Sequence, residues 1–432
     1  MQKLSGKDYI LGIQHLFAMF GATVLVPLLT GLDPAVALAT AGIGTLVFHC
    51  LTKFKVPVFL GSSFAFIGAI TAAVATKGIP YAQGGIIAAG VVYLIFALIV
   101  YFIGPDRVKR IFPPVVTGPV IVVIGINLAG TAMSDALGGI SLAEAGLTSA
   151  ALLNLGIAAF TLAVVIICTM FAKGFFKLVP ILIGIASGYI LCVILNLCGV
   201  FAMDYSPIAN AAWFNIPYVT PFTNSYGETT TFFSLPAFDW GVIISIAPIA
   251  IVTFMEHIGD ITTNGTVVGK NFFQDPGLHR TLLGDGVATI VAGFLGGPAN
   301  TTYSENTGVL ATTKNYNPAI LRLAAVYAII LGFFGKFGAV LQTIPGPVKG
   351  GVELMLFGMI ASIGIRALAE ANLDFTHSRN LTIVALILTL GLGVGAIGGI
   401  PLVFGEVSIN LSGLFIATIV GVALNLILPK EI

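Results

Sequence analysis

The sequence predicts an all-α polytopic membrane protein with about fourteen transmembrane segments in two inverted seven-span repeats. Three observations carry that expectation: apolar runs near twenty residues long, a scarcity of charge, and a pattern that returns at a fixed offset. Of 432 residues, 57% are hydrophobic and 9% are charged. A soluble globule carries about 25% charged residues, and 19 Lys+Arg with 18 Asp+Glu cannot cover the outside of a chain this long. The same hydrophobicity excludes a disordered chain. The net charge of +1 lacks the basic stripe of a nucleic-acid binder. The bilayer is the expected main solvent.

Helices are expected rather than a barrel, because a barrel would alternate apolar and polar residues over segments of about ten. Runs such as Gly85–Gly104, Ala150–Phe171, Leu178–Val200 and Leu381–Ile400 instead stay apolar throughout. Spans are expected to start near residues 9, 34, 57, 84, 114, 149 and 178, then 239, 280, 298, 318, 347, 380 and 407. Met1–Lys7 is short and basic, but no small-residue cleavage site follows, so the first run is read as span one. Lys3 and Lys7, Lys53 and Lys55, Arg107, Lys109 and Arg110, Lys173 and Lys177, and Lys270 and Arg280 all fall on one side if the N-terminus is cytoplasmic. Ser134–Leu147 and Phe201–Asp239, on the other side, contain no Lys or Arg. Both termini are expected inside, in a multi-pass protein of the cytoplasmic (inner) membrane.

Cys50, Cys168, Cys192 and Cys198 lack paired metal spacing, Glu256-His257 is not part of an HExxH helix, and no Gly-rich phosphate loop follows a strand. No metal or cofactor is expected beyond a coupling ion. A repeat sets the architecture. An offset of 242 carries Gln14-His15 onto Glu256-His257, Asp33-Pro34 onto Asp275-Pro276, and Gly42 and Gly44 onto Gly284 and Gly286. An offset of 233 carries Pro114, Gly118 and Gly125 onto Pro347, Gly351 and Gly358. An odd number of spans per copy turns the second copy upside down, the arrangement of many secondary transporters with a site at the repeat interface.

The site is expected where helices break. Gly61–Phe66 in span three and Asn300–Asn306 in span ten are rich in Ser, Thr and aromatics and read as extended chain leading into a helix. Extended backbone at membrane depth is tolerated where it pairs with protein or lines a cavity. Two such strands can pair and aim free N–H groups and two helix N-termini at a ligand. The alternative is a pair of closely packed Gly/Ser-rich helices, which leaves the neighbouring carboxylates unexplained. Glu256 and Asp260 lie four apart on one helical face near the end of span eight, and Glu305 sits in the break of span ten. Carboxylates at such depth are costly and mark function by default. Asp285 and Glu353 are weaker candidates that bonds to Ser, Thr or backbone across helices would explain, and His15 and His257 fit as satisfied polar residues between helices.

The run Glu305, Asn306, Gly308, Thr313, Lys314 fits the signature E/Q-N-x-G-x-x-x-x-T-K/R, and with it the chain resembles the nucleobase–ascorbate transporter family. Gln14-His15, Gly61–Phe66 and Glu256-His257-Ile258-Gly259 fit the same family, and the resemblance runs along essentially the whole chain. Glu at 305 together with Gly61–Phe66 is similar to its uracil:proton symporter branch. The resemblance implies a core domain of spans 1–4 (residues 1–104) and 8–11 (239–342), and a gate domain of spans 5–7 (105–238) and 12–14 (343–432). It also implies a homodimer, uracil or a related nucleobase as substrate, a proton as coupling ion, and binding positions Phe64, Glu256, Tyr303, Ser304 and Glu305. Asp260 joins Glu256 in proton coupling. Three positions depart from that branch: Asp260 stands where His is usual, Phe357 where Tyr is, and Ser304 where Gly is.

The chemistry of the residues points the same way. Uracil presents two N–H donors and two carbonyl acceptors around a flat ring. Glu256 and Glu305 supply acceptors, amides at the strand ends near Phe64 and Ser304 supply donors, and Phe64, Tyr303 or Phe66 supplies a wall. A purine or xanthine transporter of the same family, an inorganic-anion transporter of similar design and an intramembrane enzyme remain as alternatives. Two glutamates speak against the anion.

Overall fold

A computed structural model describes residues 4–216, 222–224, 229–230, 235–404 and 407–429. Lys3 and parts of the segment 201–239, both used above to orient the chain, lie outside the described residues. Ser5 and Asp8 form a capping box that opens α1 (Gly6–Thr30). Asp33 accepts from the Ala35 amide and Pro34 occupies the first turn, which starts α2 (Pro34–Leu51). A short strand, β1 (Leu60–Ser62), then leads through a tight turn at Phe64–Phe66 into α3 (Ile67–Lys77), and α4 (Ile79–Ile103) follows. The chain continues through α5 (Pro114–Asn127), α6 (Ala129–Ala136), α7 (Ser149–Phe171) and α8 (Pro180–Leu197).

The second half mirrors that order. After α9 (Trp240–Ile246) come α10 (Ile249–Val268) and α11 (Leu278–Phe294), then β2 (Asn300–Thr302) leading into α12 (Ser304–Thr313). The last stretch holds α13 (Pro318–Gly332), α14 (Gly335–Gln342), α15 (Gly346–Glu370), α16 (Ser378–Ala396), a hairpin of β3 (Ile400–Phe404) with β4 (Val407–Leu411), and α17 (Gly413–Ile427). The protein is thus mostly helical with a few short strands. Among the described residues, nine helical stretches are long and apolar enough to cross a membrane, and three shorter apolar ones stand at Phe64–Lys77, Pro318–Gly332 and Gly413–Ile427.

Three boundaries differ from the sequence reading. The extended chain is three residues long in each break, so Phe64–Phe66, Glu305 and Asn306 already belong to helical turns. The last span, expected from about residue 407, begins at Gly413, because 407–411 pairs with 400–404; its β-branched residues suit strand and helix alike. Glu256 and Asp260 lie in the middle of α10, which runs on to Val268 before Gly269 ends it in the left-handed region.

Helix contacts fall into two sets. In one, α4 packs on α11 and α2 packs on both α11 and α13, with α1 against α13. In the other, α15 packs on α5, α6 and α7, and α16 packs on α5 and α17. The α4–α11 contact depends on small residues. A Cβ at Gly90 would lie 2.8 Å from the Gly286 carbonyl oxygen, and one at Gly286 would lie 3.1 Å from that of Gly90. Close backbone approach of this kind is what associates helices in lipid, where apolar surface gains nothing by leaving the tails. Gly90→Ala is therefore expected to destabilise the detergent-solubilised protein by about 1–3 kcal/mol. Gly156→Ala, where a Cβ meets nothing within 4 Å, is expected to be neutral or stabilising. Equal melting shifts for the two variants would sink this account.

Candidate functional site

The two short strands meet. β1 and β2 pair antiparallel, with Leu60 opposite Thr302, Gly61 opposite Thr301 and Ser62 opposite Asn300. The ladder is extended at both ends: the Ser63 amide donates to the Ala299 carbonyl at 2.9 Å, and the Tyr303 amide to the Phe59 carbonyl at 3.0 Å. Further backbone groups of the strands are answered by one threonine from each half. The Thr45 hydroxyl of α2 accepts from the Leu60 amide at 2.9 Å and lies 3.3 Å from the Leu60 carbonyl. The Thr289 hydroxyl of α11 does the same at Asn300, at 3.3 Å from the amide and 3.1 Å from the carbonyl. These backbone groups of the strands thus find their partners within the protein, as depth in a bilayer demands.

Side chains lock the crossing. The Tyr303 hydroxyl donates to the Ser62 carbonyl at 2.7 Å, and the Ser62 hydroxyl to the Thr23 carbonyl of α1 at 3.0 Å. Gly61 is required there, since a Cβ would stand 2.4 Å from the Tyr303 ring. Immediately beyond the crossing both chains turn helical. Tyr303 is the extended N-cap of α12 and supplies no side-chain cap. The first-turn amides of α12, from Ser304 onward, thus have no partner within the helix and form its positive end. Glu305 sits in that first turn and is half-buried, as is Ser304. Phe64 occupies the matching place on the other side, half-buried, and its ring packs edge-on against Phe357 of α15 with centroids 6.0 Å apart.

Beside the crossing runs α10, with half-buried Glu256 and Asp260 one turn apart. Asp260 Oδ2 accepts from the Thr302 hydroxyl of β2 at 2.8 Å. Glu256, Asp260 and Glu305 lie within electrostatic reach of one another. None of them forms an ion pair among the described residues. The structure thus brings Glu256, Asp260, Tyr303, Ser304 and Glu305 together around one strand crossing, with Phe64 on its far side.

The remaining polar candidates lie behind this surface. His257 is fully buried and spans Asp285 Oδ2 through Nδ1 at 2.8 Å and the Thr281 hydroxyl through Nε2 at 2.9 Å, tying α10 to α11. Asp285 is answered by this histidine rather than by Ser, Thr or backbone. The Asn306 amide donates to the His15 carbonyl at 2.9 Å, joining α12 to α1. Asn264 Nδ2 donates to the Pro57 carbonyl at 3.0 Å and to the Thr307 hydroxyl at 3.1 Å. Sequence reasoning missed the roles of Thr45, Thr289, Thr302 and Asn264. Their type carried the available signal: hydroxyls and amides in otherwise apolar spans must bond to something.

Residues 6–400 match the Permease family model (Xan_ur_permease). The chain is 46% identical over 425 residues to the "Uracil permease" of Bacillus caldolyticus, covering 98% of this chain and 92% of that one. It is 39% identical over 417 residues to the "Uracil permease" of Escherichia coli (strain K12), covering 96% and 90%. Among solved structures, the transmembrane domain of a cyanobacterium bicarbonate transporter, BicA, has a similar fold at 15% identity, with a TM-score of 0.65 over 91% of this chain and 96% of that one. Its family and its relatives are permeases, not enzymes. With nearly its whole length matched, the chain belongs to the Permease family and is a multi-pass membrane protein of that family.

Proposed function

We propose that this protein carries uracil across the cytoplasmic membrane in symport with protons, holding it at the strand crossing. The observation that carries the reading is the juxtaposition at β1 and β2 of two unpaired glutamates, Glu256 and Glu305, with the uncapped N-terminus of α12. Two carboxylate acceptors match uracil's two N–H groups, and first-turn amides match its carbonyls. Phe64 offers a ring face to its plane, Ser304 lies at the edge, and the buried Tyr303 takes part from the strand end, its hydroxyl held by Ser62. The names of the relatives, uracil permeases at 39–46% identity, agree with this choice of substrate.

Proton coupling follows from charge. Uracil is neutral near pH 7, so its accumulation must draw on a co-transported ion. Lost hydration and like charge oppose ionising Glu256, Asp260 and Glu305 together, so one of them carries a proton in the loaded site. A protonated Glu256 donates to a uracil carbonyl, and proton and substrate then favour each other mutually. Asp260, held by Thr302 one turn away, relays that proton toward the cytoplasm. Binding should accordingly tighten as pH falls.

The same reading gives fourteen segments in two inverted repeats. The nine long stretches and three shorter apolar helices are joined by α11 and α12. The equivalent placing of Thr45 at β1 and Thr289 at β2 supports the duplication. The two sets of helix contacts support a core (1–104 and 239–342) and a gate (105–238 and 343–432) that moves against it. We place both termini in the cytoplasm and take the working unit to be a homodimer.

Two outcomes follow. Glu305→Gln is expected to weaken uracil binding to the purified protein by about tenfold or more, the cost of leaving one buried edge unpaired. Near-wild-type binding, or displacement of uracil by xanthine at equal concentration, would overturn the assignment. In proteoliposomes Asp260→Asn is expected to exchange uracil across the membrane but to lose accumulation driven by an inward proton gradient. A variant that still concentrates uracil with full pH dependence makes Asp260 structural.

A further inference from the structure

Glu353 plays no part in the scheme above and lies away from the strand crossing. It sits on α15, fully buried, and among the described residues no hydrogen-bond donor reaches either of its carboxylate oxygens. The charged groups facing it are Asp135, at the end of α6, and Lys349, one turn earlier on α15. Lys349 Nζ stands 3.4 Å from Asp135 Oδ2, so among the described residues the only cation facing Glu353 serves Asp135. The main helices packed against α15 are α5, α6, α7 and α8, and Asp135 is their only charged residue. Their other titratable groups are the Tyr189 phenol, which bonds Thr343 at 2.9 Å, and the thiols of Cys168 and Cys192. Packing here is tight: a Cβ at Gly350 would lie 2.2 Å from the Ala136 amide nitrogen.

An ionised carboxylate in such a place, without donors and against a second carboxylate, costs several kcal/mol. A neutral Glu353 removes that cost, because its O–H then serves as the donor for Asp135. The cluster sums to zero charge as Lys349 ammonium, Asp135 carboxylate and Glu353 carboxylic acid. We propose that Glu353, with Asp135 and Lys349, forms a second proton-binding site, separate from the strand crossing, at the contact of α6 with α15. Losing this proton places two negative charges against one ammonium and pushes α6 and α15 apart. Phe357 lies one turn beyond Glu353 on the same face of α15, and its ring rests on Phe64. Proton occupancy at Glu353 therefore sets how α15 rests on the strand-crossing site. The link to transport rests on the reading of Phe64 as part of the uracil site; the proton site itself does not.

The test separates the two. Infrared spectra of the purified full-length protein, without uracil, report the carbonyl stretch of protonated carboxyls. At pH 7 a component of that band is expected to vanish in Glu353→Gln. In Lys349→Met the band should persist to higher pH than in wild type by about one unit, because removing the ammonium penalises the doubly ionised pair. An unchanged band in Glu353→Gln, or no alkaline shift in Lys349→Met, overturns the proton site. The second arm is uracil exchange between compartments of equal pH. Glu353→Gln, neutral at every pH, is expected to retain exchange at alkaline pH where wild type has lost half. Superimposable profiles, with the infrared difference present, would overturn the coupling to transport while leaving the proton site. Wild-type protein that exchanges no uracil at all would instead refute the uracil reading.

Discussion

Every backbone amide and carbonyl inside a bilayer must find a partner within the protein, because hydrocarbon offers none. A continuous helix meets that demand alone; a broken one cannot. This chain breaks two helices at membrane depth, and the structure answers with one device: the exposed segments pair with each other, Leu60–Ser62 against Asn300–Thr302. The ladder alone does not reach every strand group, and a single hydroxyl on each flank, Thr45 or Thr289, reaches one more amide and carbonyl. At several kcal/mol for each orphaned group, neither break is sustainable without the other. That mutual need explains why the breaks occur as a pair, one in each half of the chain. It also explains why a helix starts immediately beyond each end of the crossing.

The crossing has an electrostatic consequence. Helix N-termini attract acceptor oxygens, and carboxylates stand beside the crossing without cationic partners among the described residues. Glu305 sits within the first turn of α12, while Glu256 and Asp260 face the crossing from α10. The carboxylate behind this surface is handled differently. Asp285 is fully buried and bound by His257, and that pair fixes α10 on α11. Carboxylates of one chemical type thus divide by environment. One is closed into a hydrogen-bonded pair that holds the helices; the others are half-buried beside the crossing with no cation partner among the described residues, and Asp260 accepts from the Thr302 hydroxyl.

Much of this was legible in the sequence, and the reasons are physical. Long apolar runs, a low charge count and Gly/Ser breaks at 61–66 and 300–306 are local signals, and they locate the helices and their interruptions. What crosses between distant segments was not legible. Nothing near Asp260 in the chain points to Thr302 as its donor, and nothing near Tyr303 points to the Ser62 carbonyl. The length of the strands was overestimated because Ser, Thr and aromatic residues suit extended chain and a first helical turn equally. The hairpin at 400–411 was hidden for a related reason: valine and isoleucine serve a membrane helix and a strand alike.

The fold alone does not fix the substrate. The transmembrane domain of a bicarbonate transporter has a similar fold at 15% identity, and a shared fold does not fix what is carried. Architecture therefore cannot select the ligand, and selection falls to the side chains that line the crossing. In this chain those are carboxylates with no cation among the described residues to offset them. The positive ends of two half-helices invite acceptor oxygens, while the glutamates beside them repel a net negative charge and demand donors. A ligand that satisfies both must be neutral and carry donors and acceptors in alternation around one small rigid edge. That is a stricter requirement than either group imposes alone, and under the proposed function a pyrimidine dione meets it where a simple anion does not.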